Sequence, residues 1–257
     1  MKVRPSQLET LYHAALQGFE NRAVEVLQKL CPREWELLGP DTFRHKVRLG
    51  LERARKNQLA SENALLLFTH LTFLLGIGFD RDPQTPWAAE ILSDTSIDEV
   101  ERVEKMYQRS AAHCQETLGA KGEFIDAVLR KLPNEPSDGF KESGLSDFEK
   151  YMLRRYLLLY PEKFRSAGEE RLMDLIQSGT REAASYGLTS ERGRTLFLVL
   201  AFLLGSEFAK DPQYPLALDQ WSESERNEPD LKAGRVRQQA LAYLKRWQTA
   251  GADQRSG

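Results

Sequence analysis

The stretch from Phe73 to Ala88 returns as Phe202 to Ala217, displaced by 202 − 73 = 129 residues. The register holds without a gap back through Ser61-Glu62 against Ser190-Glu191, Leu59 against Leu188, Ala54 against Ala183 and Gly50 against Gly179. From Gly50 to Ala88, 18 of 39 positions are identical, where unrelated segments of ordinary composition share about 2–3. Upstream, Pro32 still faces Pro161, and Val24, Leu27 and Leu30 face Leu153, Tyr156 and Leu159. An internal repeat of this kind restricts the fold before any other feature does. It implies a tandem duplication of a unit of about 100 residues.

The repeated unit reads as helical. Apolar residues recur at three and four, β-branched runs are short, and no Asn-Gly or Asp-Gly hairpin turn occurs, so the expected class is all-α. A first helix begins at Pro5-Ser6, with Leu8, Leu11, Tyr12, Ala15, Leu16, Phe19, Ala23, Val26, Leu27 and Leu30 on one stripe, and stops at Cys31-Pro32. Asp41, after Gly39-Pro40, is the expected cap of a second helix running to about Gln58. Gly50 and Gly179 fall inside that helix and its counterpart, where glycine costs about 0.5–1 kcal/mol, so close helix packing is expected there. Ser61 and Ser190 are positioned to cap a third, mostly apolar helix that ends at Gly76 and Gly205.

In the loop that follows, Asp82-Pro83 and Asp211-Pro212 stay extended, and Pro86 and Pro215 suit the first turn of a short helix. The aspartates are expected to accept from free backbone N–H groups of that turn. An amphipathic helix then spans Asp98 to about Leu118, matched in the second half by one from about Lys232 to Trp247, after which the chain reads as frayed. Phe124 to Leu132 forms a shorter helix, and Pro133 to Gly139 is the expected linker. The domain reading is a first repeat over residues 1–120, a short helix and linker over 121–144, and a second repeat over 145–257.

Composition adds exclusions. With 41% hydrophobic and 29% charged residues and a net charge of −2 over 257 residues, the chain is an ordinary globular one, without a net field towards nucleic acid or acidic membranes. Residues Met1 to Glu9 contain no apolar core of a signal peptide. The most apolar run, Ala64 to Phe79, is shorter than the roughly 20 residues of a spanning helix. Cys31 and Cys114 occupy non-corresponding positions, which suits two thiols in a reducing compartment. A cytoplasmic protein without membrane contact is expected.

No catalytic constellation is evident. The four histidines, His13, His45, His70 and His113, lie on four helices, none recurs in the second half, and no metal-ligand spacing occurs. Asp80 has Ala209 as its counterpart. Phosphate-binding glycine loops and nucleophile elbows are missing too, so neither enzyme nor cofactor is expected. The basic runs Arg44, Lys46, Arg48, Arg53, Arg55, Lys56 and Arg235, Arg237, Lys245, Arg246 are interleaved with glutamates and read as solvated faces, not as a nucleic-acid surface. Trp87, on the first turn after a rigid loop, is either a core plug or an anchor for a protein partner.

The arrangement Arg4-Pro5-x-Gln7-Leu8, Gly50-x-x-x-Ala54 and Phe79-Asp80-x-Asp82-Pro83-x-x-Pro86-Trp87-Ala88 resembles small helical proteins of bacterial type VI secretion gene clusters. The resemblance covers most of Met1–Asp94 and, more loosely, about Leu145–Glu223, where Ala209 and Leu216 stand for Asp80 and Trp87. It implies a co-chaperone encoded beside the VgrG and PAAR spike components. Such a protein binds an effector-specific adaptor chaperone, or the effector itself, for loading onto the spike. An immunity protein that neutralises a cognate toxin is the alternative. The expected protein-binding residues are Asp82, Pro83, Gln84 and Trp87 with Asp211, Pro212 and Gln213, unless these serve only to rigidify the loop.

Overall fold

A computed structural model describes the backbone of residues 5–134, 145–218, 220, 225 and 227–254, and the side chains of 16–133, 147–218, 220, 225 and 227–250. Every regular element among the described residues is helical, as the apolar periodicity requires. None of these helices is long and apolar enough to cross a membrane. The linker proposed over Pro133 to Gly139 falls, from residue 135 onward, outside the described residues, as does Arg4.

The first half contains α1 (Pro5–Leu30), α2 (Pro32–Lys56), α3 (Glu62–Leu75), α4 (Pro86–Ser93) and α5 (Glu99–Leu118). After α6 (Glu123–Lys131) and a 3-10 turn, Leu132–Asn134, come α7 (Leu145–Leu159), α8 (Pro161–Ala167), α9 (Glu169–Ser185), α10 (Glu191–Leu204), a second 3-10 turn, Phe208–Lys210, and α11 (Pro229–Gln254). The displacement of 129 reappears in the element boundaries. Glu62 + 129 gives Glu191 and Leu75 + 129 gives Leu204, so α3 and α10 begin and end in register. Gly39 (φ 71°, ψ 169°) kinks α2, and at 39 + 129 = 168 Gly168 (φ 83°, ψ 151°) separates α8 from α9.

That kink corrects the start expected for the second helix. Pro32 already opens a turn ahead of it, Gly39 breaks the helix, and Asp41 is an exposed residue of the restarted helix, not its cap. The last helix continues past Thr249, α11 running to Gln254. Other local expectations hold. Ser61 Oγ accepts from Ala64 N at 3.4 Å and Ser190 Oγ from Gly193 N at 3.1 Å, which caps α3 and α10. A Cβ on Gly50 would stand 2.7 Å from Thr69 Cγ2, and one on Gly179 2.7 Å from Leu198 Cδ2, so α2 meets α3, and α9 meets α10, at glycine.

Two apolar cores result. One gathers Leu27, Phe43, Phe68, Leu71 and Phe79 around α3; the other gathers Tyr156, Leu172, Phe197 and Phe202 around α10 and takes in Val128 and Leu129 of α6. Each such side chain, fully buried, contributes about 1.5–3 kcal/mol. The last helix of each half crosses to the other half. α5 packs on α8, where Tyr160 Oη donates to Thr117 O at 2.6 Å; α11 packs on α2, where Arg246 donates to Leu37 O at 3.4 Å and the Arg33 guanidinium lies 4.4 Å from the Trp247 ring. At Pro215 the parallel ends. Leu216 to Leu218 are not helical and Ala217 has φ 43°, whereas Pro86 opens α4.

Candidate functional site

The two loops of matching sequence meet each other between the halves. Asp82 and Asp211 each turn one carboxylate oxygen to the backbone two residues on: Asp82 Oδ1 accepts from Gln84 N at 2.8 Å, and Asp211 Oδ1 from Gln213 N at 2.9 Å. The proline that follows each aspartate fixes this turn. The second oxygen reaches across. Asp82 Oδ2 accepts from Ser206 N at 2.6 Å, and Asp211 Oδ2 from Ile77 N at 3.0 Å. Since 77 + 129 = 206, the two bonds are the same bond made in opposite directions. Such reciprocity is what a two-fold axis imposes on an interface.

Gly76 and Gly205 make the approach possible. Their φ angles of 94° and 103° belong to the left-handed region that side chains disfavour, and a Cβ on Gly76 would stand 3.0 Å from Leu204 O. Gln84 adds a further strut, its Nε2 donating to Ala201 O at 3.1 Å.

Charge strengthens the seam unequally. Lys46 reaches Asp211 with Nζ 2.8 and 2.7 Å from the two carboxylate oxygens, and both side chains are wholly buried. Burial depresses the Lys46 ammonium, and the Asp211 carboxylate opposes that shift. On the outer side of the seam, Arg53 bridges three elements. Its guanidinium holds Glu207 through two bonds of 2.7 and 3.0 Å while Nε donates to Asp80, whose other oxygen accepts from Asn57 Nδ2 at 2.8 Å. Burial works against the Glu207 carboxylate, but Arg53 outweighs it and lowers its pKa.

Near Asp82 a cavity of about 100 Å³ opens between the halves, lined among others by Asp82, Gln84, His113, Cys114 and Lys163. Lys163 Nζ donates to Leu203 O at 3.3 Å, and burial depresses its amine to about 8 against the pull of Asp82. Burial, reinforced by Lys163 and Arg109, holds the His113 imidazole down to about 4. Cys31 and Cys114 are separate free thiols, and burial pushes Cys31 up to about 12. No cluster of three potential metal ligands occurs among the described residues.

The residues expected to bind a partner are therefore placed together, but inside the molecule. Asp82, Gln84, Asp211 and Gln213 are buried, the first three with bonds across the seam and Gln213 bonded within its own half, and Pro83 and Pro212 are half-buried beside them. Trp87 is 9% exposed, packed against His113 with the Arg109 guanidinium over its ring, which matches the core plug and not the anchor. Among the described residues these side chains form no open face.

Three contributors escaped the sequence reading. Lys46 and Arg53 belong to basic runs that read as solvated faces, yet both turn inward, and Glu207 joins Arg53 across the seam. A signal for Lys46 existed: Phe43, Val47, Gly50, Leu51 and Ala54 form the buried stripe of α2, and Lys46 lies within it. For Glu207 the signal lies in its counterpart, because 207 − 129 = 78 is Gly78, and a Cβ there would stand 2.7 Å from the Glu207 side chain. No protein-family model matches the chain, and comparison with curated proteins and with solved structures found no match either.

Proposed function

We propose that this chain is a non-catalytic, cytoplasmic adaptor, built by duplication of a helical unit of about 100 residues and closed on itself about a pseudo-two-fold seam. Its role is that of a co-chaperone in type VI secretion, binding an effector-specific adaptor chaperone or the effector of the same gene cluster. The observation that carries this reading is the reciprocal pair of Asp82–Ser206 and Asp211–Ile77 bonds. It commits the repeated motif to fixing one half against the other, and the product is a preorganised helical body. Preorganisation lowers the ordering cost of docking a partner.

Apolar side chains on the outer helices support the same reading. Leu157 and Leu158 on α7 are 43% and 66% exposed, and Leu231 on α11 is 55% exposed. The motif itself supports the secretion context by the resemblance described above. The duplicated loops enter as the internal clasp of the adaptor, and partner recognition falls to the outer surface.

Co-expression of the chain with the products of its adjacent genes, followed by size exclusion with mass determination at moderate salt, tests the proposal. A stable complex with the adaptor chaperone or effector is expected. If the only partner retained is a toxin whose lethality the chain suppresses, the immunity reading replaces this one. If no neighbour is retained, the proposal fails.

A further inference from the structure

The two seam carboxylates are bonded alike and neutralised differently. Asp211 accepts from Gln213 N and Ile77 N and, on the same two oxygens, takes the Lys46 ammonium at 2.8 and 2.7 Å. Asp82 accepts from the matching amides of Gln84 and Ser206, with Gln84 Nε2 farther off at 3.4 Å. No lysine meets Asp82 in return. At 46 + 129 = 175 the second half has Leu175, and Asp82 forms no ion pair among the described residues. Asp211 demonstrates that a carboxylate held by one backbone amide on each oxygen keeps the capacity to take an ammonium as well.

A cation stands near Asp82 without touching it. Lys163, at the position matching Glu34 since 163 − 129 = 34, lines the cavity of about 100 Å³ beside Asp82. Its ammonium feels the Asp82 carboxylate but forms no ion pair among the described residues. Nζ donates to Leu203 O at 3.3 Å and lies 5.6 Å from the Phe202 ring, which leaves two of its three N–H donors unused. At about 8 the amine remains mainly protonated at pH 7, whereas the His113 imidazole, held down to about 4, is neutral there. Asp82 and Lys163 are thus the charged groups lining the cavity among the described residues, one from each half. The rest of the lining is largely leucine, and Leu74 and Leu118, 50% and 37% exposed, carry it out to solvent.

We propose that this cavity binds a small α-amino acid as its zwitterion, with the ammonium on Asp82 and the carboxylate on Lys163. Charge selects the ligand. A simple anion leaves Asp82 unpaired and a simple amine leaves Lys163 unpaired, and an unpaired charge in a partly desolvated site is costly, whereas a zwitterion satisfies both. Size restricts the side chain. At about 10–15 Å³ for each water-sized sphere, the space holds about seven to ten atoms of that size, which suits alanine, serine or valine and not an aromatic residue. The site goes beyond the adaptor reading and does not rest on it. It adds a ligand that ties the halves beside the seam carboxylate that has no ion pair of its own.

Isothermal titration of the purified full chain with L-alanine tests the site. Propionate, which lacks the ammonium, alaninamide, which lacks the carboxylate, and L-tryptophan, which is too large, are the comparisons. Alanine should bind once per chain and each of the three at least about tenfold more weakly. Lys163→Met, which removes the cation, and Cys114→Leu, which fills the cavity from α5, should each weaken alanine binding at least about tenfold. Circular dichroism melts confirm that the variants are folded, and because they lie on different helices the loss of one fold leaves the other variant to decide. Propionate bound as tightly as alanine would overturn the proposal in favour of an anion site, and alaninamide bound as tightly would overturn it in favour of a cation site. Absence of alanine binding at millimolar concentration, equal binding of tryptophan, or unchanged binding in folded Lys163→Met would overturn it outright.

Co-expression with the neighbouring genes separates the two readings. A neighbour retained by a chain that binds no alanine removes this site and keeps the adaptor. Alanine binding that depends on Lys163, with no neighbour retained, keeps the site and removes the adaptor.

Discussion

Lys46 and Asp211, 165 positions apart, meet in a salt bridge at 2.7 Å that is closed to solvent on both sides. Two charges taken out of water gain little over an apolar pair, but either one left alone is expensive. The carboxylate also accepts from Ile77 N and Gln213 N, so the two partners are not equivalent.

Removing the carboxylate should therefore cost more than removing the amine. Asp211→Ala leaves a buried ammonium and two backbone donors without an acceptor, whereas Lys46→Met leaves a carboxylate that keeps both donors. Each change is expected to destabilise by about 3–5 kcal/mol, with Asp211→Ala the larger. Lys46→Met/Asp211→Ala, which removes both charges, should be milder than the sum of the single changes by about 1–3 kcal/mol. Urea denaturation of the four proteins measures the cycle, and strict additivity would show that the pair does not couple the halves.

A second expectation concerns the glycines at the crossing. Alanine at Gly76 or Gly205 is forced to φ 94° or 103°, a strain of about 1–3 kcal/mol at each. Gly76 is the tighter site, its added Cβ standing 3.0 Å from Leu204 O against 3.5 Å between Gly205 and Leu75 O, so Gly76→Ala should be the worse of the two. Gly234, within α11 and with open space around its Cβ position, is the control. There alanine should stabilise by about 0.5–1 kcal/mol. Thermal melts of the three variants check the order, and a Gly76→Ala protein as stable as wild type would remove the steric account of the loop.

What the sequence could disclose follows from which interactions are local. The caps at Ser61 and Ser190 and the ends at Gly76 and Gly205 depend on neighbours within a few residues or one helix turn, and they were legible; the close packing at Gly50 and Gly179, whose contacts Thr69 and Leu198 lie on the next helix, was legible because a costly glycine stands inside a helix in both halves. The two Asx turns at Asp82 and Asp211 were legible because they too are local. Their second carboxylate oxygens were not, because Ser206 and Ile77 come within reach only after both halves have formed. Lys46 and Arg53 carry charge, ordinarily a mark of solvent, and nothing near Lys46 in the chain names a partner lying 165 positions away. The repeat hid as much as it disclosed. Identities between the halves pointed to the loop, while the non-identical positions His70 against Val199 and Gly78 against Glu207 are where the halves differ in shape and charge.

The buried imidazole of His113 gives the molecule an acid sensitivity of calculable sign. Its ring is 6% exposed beside Trp87, and burial, then the cations Lys163 and Arg109, depress it to about 4 although Glu116 opposes them. Unfolded, it titrates near 6.5. Between those values the unfolded chain holds a proton that the folded chain rejects, so stability rises with pH across the window and is lost as pH falls from about 6.5 towards about 4. A shift of that size corresponds to about 3 kcal/mol at the acid end. Carboxylates whose pKa is lowered in the folded chain by their hydrogen-bond partners, Glu20 and Glu99 among them, also contribute to acid loss, so the contribution of His113 is read as a difference. Urea midpoints at pH 7.5 and 4.5 should separate widely in the wild type and by about 2–3 kcal/mol less in His113→Leu, which cannot take up the proton. An equal acid loss in both proteins would mean that His113 is protonated in the folded state, and that the cavity beside Asp82 admits enough water to solvate its charge.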